Sequence, residues 1–103
     1  MKPYLDIINH FGIRNQMKKL NEECYEFIEA VDNYEDYKLF NKATSEEESL
    51  ARSFVIEECA DMLILLTQFI ALYEIDKKEI DTFFDEKLKR TLDRIESGYY
   101  DKF

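Results

Sequence analysis

The hydrophobic residues of this chain recur with the period of an α-helix over most of its length. The same periodicity predicts helices over residues 3–11, 13–32, about 44–73 and about 77–97. The polar and mixed residues 33–45 are predicted to be a connection that includes a helical turn at residues 37–40. In the second helix the apolar positions are three and four residues apart, as on one helical face, and they are Ile13, Met17, Leu20, Cys24, Phe27 and Val31.

The ends of the predicted helices carry recognisable signals. Gly12 ends the first helix. The third begins near Thr44 or Ser45 and the fourth after Asp76, because each of these residues has a glutamate three positions later, as in a capping box. From Phe54 onward the third helix is apolar around most of its circumference, so it is predicted to be the buried central helix.

The composition favours an all-α fold. Two Gly and one Pro leave little material for turns, which argues against a β-sandwich or a Rossmann fold. We predict a single domain over residues 1–103 that forms an antiparallel four-helix-type bundle. A chain of 103 residues has a thin core, and 15% of this one is aromatic, so dimerisation is expected to complete the core.

The net charge restricts the partners of the protein. A formal charge of -9 argues against a broad basic surface for polymeric nucleic acid and against adhesion to an anionic membrane. The longest apolar run, residues 62–73, is about half the length that spans a bilayer. Residues 1–10 lack the features of a secretory signal, so a cytoplasmic location is predicted. Cys24 and Cys59 are predicted to be small core residues.

The two inner helices carry a similar acidic motif. Residues 22–26 read EECYE and residues 57–61 read EECAD, and both place carboxylates three residues apart on one helical face. Glu22 and Glu29 lie nearly opposite the apolar stripe of their helix, so both are expected to be solvated. The remaining carboxylates of the two motifs lie closer to apolar residues.

Glu23 and Glu58 are the carboxylates whose settings call for a partner. Glu23 lies roughly 80° from the centre of its stripe, beside Lys19 and Glu26. The neighbours of Glu58 four residues before, three before, four after and seven after it are all apolar, namely Phe54, Val55, Met62 and Leu65. A carboxylate removed from water costs several kcal/mol unless a cation or another partner compensates it.

The partner is predicted to be a divalent cation held by Glu23, Glu26, Glu58 and Asp61. The alternatives are a buried salt bridge or a polar subunit interface. Ion pairing would need several buried bases, whereas residues 22–61 contain 13 acidic residues and only Lys38, Lys42 and Arg52. Four hard oxygen donors suit Mg²⁺, Mn²⁺ or Ca²⁺.

The fourth helix carries a line of basic residues that suits a phosphate ligand. Lys87, Arg90 and Arg94 are spaced by three and four residues. Alone, such a line is ordinarily a solvated face. Beside a carboxylate–metal cluster it is better interpreted as a contact for phosphate oxygens, which Lys19 would join.

These motifs resemble those of the MazG-like, all-α nucleoside triphosphate pyrophosphatases, in which EExxE is followed by ExxD. Here the two motifs are EECYE at residues 22–26 and ECAD at residues 58–61. The sequences around both motifs are also similar, and a basic segment, KLKRTLDR, follows. In that segment Arg90 stands where many members have Asn. The resemblance covers most of residues 12–98.

The resemblance implies a reaction and a set of site residues. Hydrolysis between the α- and β-phosphates would give a nucleoside monophosphate and pyrophosphate, with Mg²⁺ as cofactor and Mn²⁺ as a substitute. The metal ligands implied are Glu23, Glu26, Glu58 and Asp61. The triphosphate contacts implied are Lys19, Lys87, Arg90 and Arg94. Glu22 is a weaker candidate for positioning the attacking water, and dimers or dimers of dimers are expected, with the base near a subunit boundary.

Other functions remain open at this point. One is a related enzyme, such as a phosphoribosyl-ATP pyrophosphatase or a dUTP-specific member of the superfamily. Another is a non-catalytic helical dimer that binds a metal or a partner protein. An acidic mimic of nucleic acid is disfavoured, because a mimic displays its charges outward and Glu58 lies among apolar residues. Tyr99 and Tyr100 are expected to pack as a C-terminal tail rather than to stack on a base.

Overall fold

The computed structural model describes residues 1–39 and 44–102, and within them the predicted all-α class is confirmed. The elements are α1 (Lys2–Phe11), α2 (Ile13–Leu39), α3 (Ser45–Leu72), α4 (Lys77–Glu96) and a short 3₁₀-helix (Tyr99–Lys102). Strands are absent from these residues. Across the same residues, every helix falls short of the length or the apolar character that crossing a membrane requires.

The chain divides into two compact units. The first, Met1–Tyr73, contains α1, α2 and α3, and the second, Glu74–Phe103, contains α4 and the 3₁₀-helix. In the first unit α3 contacts both α1 and α2. In the second unit α4 contacts the 3₁₀-helix. The single domain and the four-helix bundle stay predictions.

Gly12 makes the junction between α1 and α2. Its φ of 90° lies in the left-handed region that only glycine adopts readily. Its N–H donates to the carbonyl oxygen of Ile8 at 2.8 Å, and its own carbonyl accepts from the N–H of Gln16 at 3.1 Å. The chain therefore ends one helix and starts the next within one residue, as the sequence predicted.

Helix α2 extends further than predicted. Residues 33–39, predicted to be part of a connection, are helical. Tyr34 and Tyr37 are half-buried and continue the face of Val31 at helical spacing. The prediction was wrong because the polar composition of this segment was given more weight than the position of its two tyrosines. Residues 40–43 of the predicted connection lie outside the described residues.

Two local caps begin the later helices, as predicted. Of the two candidates for α3, Thr44 is the cap, and its hydroxyl oxygen accepts a hydrogen bond from the N–H of Glu47 at 3.1 Å. Asp76 and Glu79 form a complete capping box at the start of α4, in which Glu79 Oε2 accepts from the N–H of Asp76 at 2.8 Å. These bonds satisfy backbone donors that the first turn of a helix leaves unpaired.

The buried face of α2 agrees only in part with the predicted apolar stripe. Four of its residues are half-buried, namely Leu20, Cys24, Phe27 and Val31, whereas Ile13 and Met17 are 42% and 48% exposed. The buried residues of α2 are Gln16 and Glu23, which a face chosen by hydrophobicity alone leaves out, and both have partners across the helix interface. The other buried residues are Ile8, Ala51, Leu65, Gln68 and Ala71.

Helix α3 lies centrally in the first unit, but it is not buried on all sides. Its exposed apolar residues include Leu50, Phe54, Ile56, Leu63, Ile64 and Leu66. Cys59 is also exposed, so its predicted role as a core residue is wrong, while Cys24 is half-buried. The apolar circumference of α3 therefore exceeds what α1 and α2 cover.

Replacing Ile8 by alanine is expected to destabilise the protein strongly. Ile8 is 1% exposed, and removing a buried isoleucine side chain costs about 2–5 kcal/mol of unfolding free energy. Thermal and urea unfolding followed by circular dichroism would measure the loss. Ile7→Ala is the matched control, because Ile7 is half-buried on the same helix. Equal losses in the two variants would contradict the assignment of Ile8 to the core.

Candidate metal centre

Three carboxylates from α2 and α3 meet in the first unit. Glu23 and Glu26 are one turn apart on α2, and Glu58 reaches them from α3. One carboxylate oxygen of each residue lies within 4.8 Å of the others. These are three of the four ligands predicted from the two acidic motifs.

Glu23 is the most deeply buried member of the cluster. It is 4% exposed, although the sequence placed it only on the flank of the apolar stripe. Its Oε1 pairs with Lys19 Nζ at 3.0 Å, and the same nitrogen lies 3.9 Å from Oε2 of Glu22. The amphipathic Lys19 side chain is about half exposed, so it supplies one positive charge from the edge of the interface.

Two buried oxygen atoms in the cluster have no hydrogen-bond donor. They are Oε2 of Glu23 and Oε2 of Glu58. When both groups are ionised neither can donate to the other, and buried acceptors without partners are rare because they lose their hydration without compensation. Either a proton or a cation would compensate these two oxygens.

The pKa values of the three carboxyl groups are shifted by their burial and by one another. A hydrogen bond to Glu23, then burial and the negative charge of Glu23, raise the pKa of Glu58 to about 7. The pKa of Glu23 is lowered, first by the hydrogen bond with Glu58 and also by Lys19. The charge of Glu23 raises the pKa of Glu26. When Glu58 is protonated its proton is therefore shared with Glu23, and Glu23 is the more ionised of the two.

A divalent cation fits the same three groups. Oxygens on opposite sides of a bound cation are about 4.2 Å apart for Mg²⁺ and about 4.6–5.2 Å apart for Ca²⁺, so oxygens within 4.8 Å of one another could bind the same ion. Carboxylates are hard oxygen donors, which Mg²⁺, Mn²⁺ and Ca²⁺ all accept. The two unpartnered buried oxygens are what distinguish this cluster from the exposed acidic groups common on protein surfaces.

The other predicted residues of the first unit lie around the cluster. Asp61 is exposed and outside the compact three, but its charge contributes to the raised pKa of Glu58. Glu22 and Glu29 are exposed, as predicted. Lys19, predicted to bind phosphate, is paired with Glu23.

The predicted basic line lies on α4, in the second unit. Lys87 and Arg90 are exposed, and Arg94 is half-buried with its guanidinium 4.7 Å from the centre of the Tyr99 ring. Arg90 and Arg94 line one surface depression, whereas Lys87 borders a separate apolar groove. Tyr99 and Tyr100 lie edge to face at 5.3 Å, but both side chains are exposed, so the packing of the C-terminal tail stays a prediction.

Sequence reasoning missed one buried polar pair. The Nε2 group of Gln16 donates to Oε1 of Gln68 at 2.7 Å, between residues that are 6% and 2% exposed. Signals for it exist in the sequence: Gln68 interrupts the longest apolar run, and Gln16 lies two turns before Glu23.

Comparisons with protein-family models, with curated proteins and with solved structures find no match to this chain. The functional interpretation therefore depends on the two acidic motifs and on the geometry of the cluster.

Without metal, the stability of the protein is expected to fall as the pH rises from about 5 to about 8. The raised pKa of Glu58 means that the folded state holds a proton that the unfolded state releases between the ordinary pKa of 4.5 and about 7. This contribution is complete below the lower value and is lost through the upper one. Melting temperatures in a chelating buffer would measure it.

Glu58→Gln should flatten this pH dependence, because the amide keeps a donor for Glu23 at every pH. Glu57→Gln is the matched control, since Glu57 is exposed and adjacent on α3. An unchanged pH dependence in Glu58→Gln would show that Glu58 does not carry the shared proton.

Proposed function

We propose that this chain is a divalent-metal-dependent nucleoside triphosphate pyrophosphohydrolase. The reaction would cleave the bond between the α- and β-phosphates and release a nucleoside monophosphate, or the deoxy form, together with pyrophosphate. The observation that carries the proposal is the pair of buried, unpartnered oxygens on Glu23 and Glu58, which belong to the two motifs of the family resemblance.

The acidic residues would hold the metal. Glu23, Glu26 and Glu58 form the compact set, and Asp61, whose charge acts on Glu58, is the proposed fourth ligand. The proposed ion is Mg²⁺, with Mn²⁺ as a substitute. Bound there, it would supply Lewis-acid activation of water and neutralise charge on the phosphates.

The basic residues would bind and orient the triphosphate. Lys19 keeps Glu23 ionised and has a half-exposed ammonium group beside the cluster, where a phosphate oxygen can reach it. Lys87, Arg90 and Arg94 are the proposed further phosphate ligands, and Arg94 is held in place by the Tyr99 ring. Glu22 is exposed to solvent and is the candidate acceptor that orients the attacking water.

A second copy of the chain is part of the proposal. The exposed apolar residues of α2 and α3 include Tyr25, Ile28, Leu63 and Leu66. Apolar residues exposed together, rather than singly, are typical of a surface that binds another protein. A homodimer, or a dimer of dimers, would cover them, and the base of the substrate would lie near that boundary. A nucleotide substrate agrees with a cytoplasmic location.

The alternative function is a non-catalytic helical dimer that binds a metal or a partner protein. The same exposed apolar residues favour it, because an exposed apolar surface suits the binding of another protein whether or not the site is catalytic. It would bind a divalent cation without turning over nucleotides.

Pyrophosphate release from a panel of ribo- and deoxynucleoside triphosphates tests the reaction. We expect release that depends on Mg²⁺ and stops with chelator, and we expect Glu58→Gln to abolish it while the circular dichroism spectrum stays helical. Glu57→Gln should remain active, because Glu57 is exposed. A fully active Glu58→Gln protein would contradict the metal assignment, and metal binding without turnover across the panel would favour the alternative function.

Arg94→Ala is expected to weaken nucleotide binding more than Mg²⁺ binding, because the residue is proposed to contact phosphate and not the metal. Titration calorimetry with a non-hydrolysable nucleotide and with Mg²⁺ alone would separate the two affinities. Tyr99→Leu is the control, since it removes the contact between the guanidinium and the ring but keeps the positive charge. Equal loss of both affinities, or loss of neither, would count against a phosphate role.

A further inference from the structure

The buried amide pair Gln16–Gln68 shares the α2–α3 interface with the metal centre. From Gln16 to Glu23 the chain runs toward the C-terminus of α2, whereas from Gln68 to Glu58 it runs toward the N-terminus of α3. The two contacts therefore define an antiparallel pair of helices. Gln16 and Glu23 are seven residues apart on nearly the same face of α2, so the contacts lie about 10 Å apart along that helix.

The amide pair fixes the relative position of the two helices in a way that apolar contacts do not. Hydrophobic packing is non-directional, so it tolerates small shifts and rotations. A hydrogen bond of 2.7 Å requires alignment of donor and acceptor, and breaking it would leave two amides buried without partners. Among the described residues it is the one hydrogen bond between α2 and α3 side chains that persists whatever the ionisation of the carboxyl groups.

Repulsion among the carboxylates opposes this relative position of α2 and α3. Glu23, Glu26 and Glu58 repel one another when ionised, because one carboxylate oxygen of each lies within 4.8 Å of the others. An uncompensated cluster would therefore push α2 and α3 apart or rotate them, and a distant attachment point is needed to keep the oxygens within reach of one ion. Gln16 and Gln68 have that position and carry no charge.

The binding of Mg²⁺ depends more strictly on the positions of the ligand oxygens than the binding of Ca²⁺ does. Mg²⁺ requires near-octahedral geometry with oxygens at about 2.0–2.1 Å, whereas Ca²⁺ accepts flexible shells at about 2.3–2.6 Å. We propose that the Gln16–Gln68 pair is a positioning pair that holds α2 and α3 so that Glu23, Glu26 and Glu58 stay within reach of one divalent cation. Its loss would then weaken binding of Mg²⁺, whose coordination geometry is the stricter, more than binding of Ca²⁺. This inference rests on the proposed function, because it requires that the cluster binds a divalent cation.

The test replaces both amides at once and measures metal selectivity. In Gln16→Leu with Gln68→Leu no amide is left without a partner, so the helical fold is expected to persist. Calorimetric titration of the full chain with Mg²⁺ alone and with Ca²⁺ alone gives both affinities. We expect the Mg²⁺ affinity to fall about tenfold or more, as for other residues that orient metal ligands. The Ca²⁺ affinity should fall less than about threefold, because its shell is more tolerant.

Two further variants separate positioning from stability. Ile8→Val creates a small cavity in the same unit without touching the amide pair, so it should lower the melting temperature and leave the Mg²⁺ to Ca²⁺ affinity ratio unchanged. If the leucine variant does not fold, Gln16→Met with Gln68→Met provides a more adaptable apolar replacement.

The outcomes distinguish the two proposals. Absence of any metal binding by the unaltered protein would overturn both. Metal binding with the same affinity ratio in the unaltered and the amide-free proteins would overturn only the positioning role. A ratio that shifts equally in Ile8→Val would also overturn that role, because stability alone would then account for the shift.

Discussion

Burial of two like-charged carboxyl groups across one helix interface is the constraint on which the first unit depends. Glu23 and Glu58 each leave an oxygen buried without a donor when ionised. A cost of this kind persists only if another group compensates it, and the chain offers Lys19, a shared proton, or an external cation. The packing of α2 against α3 and the proposed metal binding therefore both depend on how the charge of these buried carboxylates is compensated.

The parts of the fold that depend on local interactions were predictable from sequence. Gly12, Thr44 and Asp76 mark helix boundaries because each acts within one turn of itself through a left-handed φ or a side-chain cap. The burial of Gln16 and Glu23 on α2 was not predictable in this way. It depends on what α3 presents opposite each turn, and the sequence pattern of α2 alone contains no information about that partner.

The same distinction between local and tertiary interactions applies to the candidate site. The apolar neighbours of Glu58 on its own helix made its partial burial visible in the sequence. The depth of burial of Glu23 depends on α3, and the Gln16–Gln68 bond joins residues 52 positions apart, so the sequence shows polar residues at these positions but not the contacts that they make. Like-charged pairs and paired amides are recognised only when a tertiary contact brings them together.

The near repetition of the acidic motif gives the site an asymmetry of its own. EECYE and EECAD place glutamate at equivalent positions in two antiparallel helices, yet four residues before Glu23 stands Lys19, whereas four residues before Glu58 stands Phe54. The hydrogen bond with Glu58 lowers the pKa of Glu23 and Lys19 lowers it further, whereas the pKa of Glu58 is raised. A near-duplicated sequence thereby carries two acids of unequal strength, facing each other across a single interface.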